Sequence, residues 1–216
     1  MLNFVQSELE FFILCLTTLF TLINPLGISP ILFVMTERFT KEEKADIALK
    51  GTLTATGALL VFVFMGSLIF NVFGITVEAF QIMGGILFFR SGLSMLEAKI
   101  GRTRTTPTEQ EESQSHDDIA ISPIGIPLIA GPGAITAAML LSSQTPGIYS
   151  YGSLVMAVLI VLSVVYLILR NGDKIIKAIG FSGMRIIQRI MGLLLLVIAV
   201  QFVINGAEVV LKRIFH

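Results

Sequence analysis

"TLINPLGISPIL", Thr21 to Leu32, lies inside apolar sequence yet carries Asn24, Pro25, Gly27 and Pro30. Proline has no N–H and its ring clashes with the preceding turn, so a helix through this stretch is broken near its middle. In water such a break is an ordinary loop. In lipid the freed backbone groups find no partner, and irregular backbone survives only where it is buried in protein or lines a wet cavity. The solvent around the stretch therefore decides what it means.

Composition identifies that solvent. The chain has 216 residues, of which 54% are hydrophobic and 14% charged, and its mean hydropathy is +0.86. These values belong to an integral membrane protein. A hydrocarbon core roughly 30 Å thick needs about 20 apolar residues per helical crossing. Stretches of that kind run from Leu9 to Thr36, Ile47 to Phe73, Val77 to Leu96, Ile121 to Ser143, Ile148 to Leu169 and Ile186 to Leu211. They are continuously apolar rather than alternating with a period of two, which excludes a β-barrel. The expected fold is an all-α membrane protein of six transmembrane helices, the first and fourth discontinuous. Three helices fill residues 1–96 and three more fill 121–216. Between them residues 97–120, "EAKIGRTRTTPTEQEESQSHDDIA", are rich in Thr, Glu, Ser and Gln and read as a flexible cytoplasmic linker.

The N-terminus carries Glu8 and Glu10 where a signal peptide would have basic residues, so no cleaved leader is expected. Cys15, the single cysteine, has no partner for a disulfide or a thiolate metal site. Lys and Arg set orientation. The first connection holds Arg38, Lys41, Lys44 and Lys50, the third Lys99, Arg102 and Arg104, and the fifth Arg170, Lys174, Lys177, Arg185 and Arg189. The second and fourth connections hold none. The basic connections are therefore expected in the cytoplasm and both termini outside a multi-pass cell-membrane protein.

With three helices per half, the second half enters from the opposite side, and similarity between the halves would describe inverted-topology repeats. "NPLGI", Asn24 to Ile28, aligns with "GPGAI", Gly131 to Ile135, and "IMG" at Ile82–Gly84 recurs at Ile190–Gly192. Both pairs fall in corresponding helices and in order. Each half thus has a proline break in its first helix: Pro25 and Pro30 in one, Pro123, Pro127 and Pro132 in the other. A helix interrupted in mid-membrane exposes carbonyls at one end and N–H groups at the next, so two such breaks can hold a zwitterion's ammonium and carboxylate.

Candidate binding residues are Thr21, Asn24, Pro25, Leu26 and Gly27 at the first break, Gly131, Pro132, Gly133 and Ala134 at the second, and Asn205. Thr17, Thr21 and Asn24 share a helix face. The competing reading for the threonines is a back-bond to the preceding turn. Gln201, Asn205 and Glu208 form a similar stripe in the sixth helix, open to a cavity role or to helix–helix hydrogen bonding. Arg90 sits about six residues from its helix end, roughly 9 Å. It either snorkels to the headgroups or serves a gate. Arg90, Gln201 and Glu208 are the candidates for coupling or gating.

The inventory argues against an enzyme. His116 lies in the linker and His216 ends the chain, so no membrane-embedded histidine exists, and no Asp lies mid-helix to make a dyad. No GxxxxGK[ST] loop is present. No metal, cofactor or nucleic-acid partner is expected. A channel or an exporter for another small solute is the alternative to a carrier.

"NPLGISP" with "PIGIPLIAGPGAI" and "FQIMGGILFF" resembles the MarC family, also called the neutral amino acid transporter family, over essentially the whole chain. The resemblance implies a six-helix bundle of two inverted three-helix repeats. It also implies transport of small neutral amino acids such as glycine and alanine, driven by the proton gradient. A sodium site made of freed carbonyls is the other coupling the sequence allows. The family motif falls on Asn24, Pro25, Gly27, Pro30, Pro127, Gly131, Pro132, Gly133 and Ala134.

Overall fold

The computed structural model describes residues 2–97, 116–145 and 147–215, and every regular element among them is helical. The linker expectation for residues 98–115 lies outside the described residues. Helix α1 spans Leu2–Ile23 and α2 Pro25–Met35; α3 spans Lys41–Phe73 and α4 Val77–Leu96. A short α5, His116–Ile119, leads into a π-helical segment over Ala120–Ile129 that is interrupted by extended backbone at Ser122 and Ile126, followed by α6 (Pro132–Ser143), α7 (Ile148–Arg170) and α8 (Gly172–Phe215). Five helical stretches are long and apolar enough to cross a membrane. Ala120–Ile129 with Pro132–Ser143, bent by 58°, makes a sixth if the pair is one span. Large apolar side chains such as Phe64, Ile186 and Val197 face outward, the surface a lipid solvent requires.

The first break is built by Asn24. Its backbone is left-handed at φ 50°, a conformation that asparagine tolerates better than other side-chain-bearing residues. Its N–H closes α1 on the Phe20 carbonyl at 2.9 Å, and its Oδ1 accepts from the Gly27 N–H at 3.2 Å, capping α2. Pro25 follows as the first helical residue of α2, where a missing N–H costs nothing. Asn24→Ala should lose both the cap and the left-handed tolerance, about 2 kcal/mol together. Asn24→Gly should recover about half of that. Thermal melts of the purified protein read the difference.

Several boundaries differ from the sequence expectation, α1 starting at Leu2 rather than Leu9 and α8 ending at Phe215 rather than Leu211, and two further differences have a local cause. Helix α3 starts at Lys41 rather than Ile47 because Thr40 and Glu43 form a reciprocal cap: Thr40 Oγ1 accepts from the Glu43 N–H and the Glu43 carboxylate from the Thr40 N–H. The fifth connection is helical from Gly172 onward, kinked at Gly180, whose φ of 72° favours glycine. Ile175, Ile176 and Ile179 follow helical spacing beside Asp173, Lys174 and Lys177, so this first piece of α8 is amphipathic.

The tightest seam joins α4 to α8, and small residues make it. A Cβ on Gly92 would lie 3.0 Å from the Gly192 carbonyl oxygen, and one on Gly192 would lie 2.9 Å from that of Gly92. Gly85 approaches the Ala199 carbonyl and Gly206 that of Glu78 in the same way. Close backbone approach of this kind is how membrane helices associate without a hydrophobic drive. Arg213, which donates to Glu78 at 2.7 Å, ties the far end of the same pair.

Candidate functional site: a cavity between two helix breaks

A cavity of about 410 Å³ lies where the two breaks meet. From the first break it is lined by Leu22, Asn24 and Gly27; from the second by Pro127 to Ile129 and Gly131 to Ala134. The C-terminal half of α4 contributes Arg90, Ser91 and Ser94, and α8 contributes Gln188. Its volume falls in the lower part of the range for small-molecule sites, roughly 300–1,000 Å³. All these segments belong to the end of the bundle that carries the basic connections.

The two breaks differ chemically. At the first, Asn24 caps the start of α2, and a Cβ on Gly27 would overlap the Asn24 amide. At the second, α6 begins at Pro132 after Gly131, with no side chain capping it. The first N–H groups of any helix have no intrahelical acceptor, so those of Gly133 and Ala134 are available at the cavity wall. An acceptor comes from Leu128 of the lining, whose carbonyl Pro132 has no N–H to meet. Among the described residues of the lining, Arg90, exposed at the margin, is the one that is charged, and none is Asp, Glu or His.

Of the residues singled out in the sequence, Asn24, Gly27, Gly131, Pro132, Gly133, Ala134 and Arg90 line the cavity. Thr21 and Pro25 are buried and Leu26 is half-buried, none of them in the lining. Thr17 turns outward and donates to the Ile13 carbonyl at 2.8 Å, the back-bond reading. The α8 stripe is not brought to the site. Gln201, Asn205 and Glu208 are exposed. Gln201 Nε2 donates to Asn205 Oδ1 at 2.7 Å, and Lys212 donates to Glu208 at 2.6 Å. Sequence reasoning missed Ser91, Ser94 and Gln188. Ser94 follows Arg90 by one helical turn and donates to its carbonyl at 3.0 Å, so a polar face shared with Arg90 was the available signal. Among the described residues no group of three or more His, Cys, Asp or Glu is placed to hold a metal.

The model of the MarC family integral membrane protein matches residues 9–211. A UPF0056 membrane protein of Methanocaldococcus jannaschii, MJ0972, is 40% identical over 198 residues, covering 92% of this chain and 87% of the relative. The UPF0056 membrane protein YvbG of Bacillus subtilis is 34% identical over 192 residues, covering 88% and 91%. One from Buchnera aphidicola is 31% identical and covers both chains completely. No solved structure matches this chain.

Proposed function

The chain belongs to the MarC family of integral membrane proteins, and on that footing we propose that it is a secondary transporter of small neutral amino acids, not an enzyme. The observation that carries the reading is the cavity lined by both broken helices. A zwitterion's carboxylate binds the uncapped start of α6 at Gly133 and Ala134, where the helix dipole favours an anion. Its ammonium binds the Leu128 carbonyl, which Pro132 leaves without a helical donor. Arg90 draws the carboxylate inward from the margin. Glycine and alanine, the cargo that the resemblance implies, suit walls built largely of backbone and small residues.

The carrier works by alternating access of two inverted three-helix repeats around this site. The α4–α8 seam supports that symmetry. As contacts move along α4 from Gly85 to Gly92, they move back along α8 from Ala199 to Gly192. In this antiparallel register two helices carrying the same "IMG" sequence face each other. Basic connections lie in the cytoplasm, both termini outside, so the cavity belongs to the cytoplasmic half. With no carboxylate or imidazole among the described residues of the lining, the coupling proton travels on the cargo or on water. The buried Thr18 hydroxyl, without a hydrogen-bond partner among the described residues, favours a sodium ion as the second reading for the coupling ion.

Calorimetry on purified protein with glycine and alanine, using leucine and glutamate as controls, tests the proposal. Saturable binding of the small pair alone is the expected result. If none of the four binds, the cargo is another solute and a channel becomes the better reading.

A further inference from the structure

The end of the bundle that carries the basic connections holds a second cavity, of about 550 Å³, between α2, the start of α3, the end of α7 and the start of α8. Five cationic side chains line it, Lys41, Lys44, Arg170, Lys174 and Lys177, against two carboxylates, Glu42 and Asp173. Lys44 and Asp173 satisfy each other at 3.6 Å. Arg170 leans back on α7, its Nη1 donating to Tyr166 Oη at 3.3 Å. Lys41, Lys174 and Lys177 have no ion-pair or hydrogen-bond partner among the described residues.

Basic residues on one membrane face are ordinary, and the orientation rule asks only that they lie in the connections. Here they do more, since residues from connections more than a hundred positions apart converge on one concavity. An anion between them would relieve their mutual repulsion. A phosphate suits three ammonium groups, because its oxygens accept from several donors and lysine binds it as a point charge. Part of the lining is apolar: Leu32, Phe33, Leu167 and Leu169. These residues stand near the ends of candidate spans, where the glycerol and first acyl carbons of a lipid would lie. We propose that this cavity binds the phosphate of an anionic phospholipid headgroup, as a site separate from the one between the helix breaks.

The same phosphate chemistry could be presented by a soluble ester, and the test separates the two. The purified protein is titrated with dioctanoyl phosphatidylglycerol, with dioctanoyl phosphatidylcholine as control, and binding is read by native mass spectrometry. Lys174→Gln with Lys177→Gln should weaken phosphatidylglycerol binding about tenfold or more, each cation near a membrane surface contributing at that scale. Arg185→Gln with Arg189→Gln removes the same charge from α8 outside the cavity and should change it less than about twofold. Equal losses in the two variants, or no preference for phosphatidylglycerol over phosphatidylcholine, would overturn the site. Failure of millimolar glycerol 3-phosphate to displace the lipid supports the lipid assignment; displacement at equal concentration overturns it in favour of a soluble phosphate ester.

Discussion

Gly133→Leu should abolish saturable binding of glycine and alanine while the protein stays folded and in the membrane. A Cβ at this position meets only the flexible end of Leu22, at 3.2 Å, and Gly133 lines the cavity, so a leucyl side chain has the cavity itself to occupy. It would cover the free N–H groups at the start of α6 and fill space the cargo needs. The expected loss is on the order of a hundredfold or more, about 2.8 kcal/mol, with little change in melting temperature. Gly131 is a poorer probe, although the sequence points to it first. A Cβ there would lie 2.8 Å from the Pro127 backbone carbonyl, so Gly131→Leu disturbs the fold and the site together. Unchanged calorimetric binding by folded Gly133→Leu protein would place the cargo elsewhere.

Gly192→Leu should have the largest effect on stability. Its Cβ would sit 2.9 Å from the Gly92 carbonyl oxygen, the Leu96 amide nitrogen and the Met95 Cβ. Two of these are backbone atoms and cannot rotate away, so α4 and α8 would have to separate. Overpacking typically costs about 1–3 kcal/mol and occasionally more; a forced separation of the tightest seam belongs at or beyond the top of that range. Folded protein recovered from membranes should fall sharply. Gly152→Leu on α7 is the control, because nothing lies within 4 Å of its Cβ, and it should stay within about 0.5 kcal/mol of the parent. Equal melting curves for the two variants would refute the seam's role.

The apolar spans were legible because hydropathy acts locally. Asn24, Pro25 and the Gly131–Gly133 run leave a mark whatever packs around them. Direction was not legible. Gln201, Asn205 and Glu208 do share a helix face, as their spacing requires, but spacing alone does not say which way that face turns, and it turns outward. Ser94 and Gln188 line the cavity margin, yet serine and glutamine in a helix look the same whether they face a cavity, a headgroup or their own backbone. The amphipathic start of α8 was hidden by its charge, which reads equally well as a loop or as an interfacial helix. Gly180, which separates that piece from the span, becomes informative only through its φ.

The cavity lining includes the exposed Arg90 as well as Leu22 and Gly133, and does not include the buried residues Cys15, Leu19, Leu140 and Leu141. Water entering from one side carries that side's electrical potential down to the floor, so the transmembrane voltage falls mainly across the packed layer beyond it. A charge crossing that layer gains or loses about 2.3 kcal/mol per 100 mV. In the proposed carrier a zwitterion would carry no net charge through the field and a coupling cation would carry one. The voltage at which net flux reverses in sealed vesicles would then count the cations that accompany each cargo molecule.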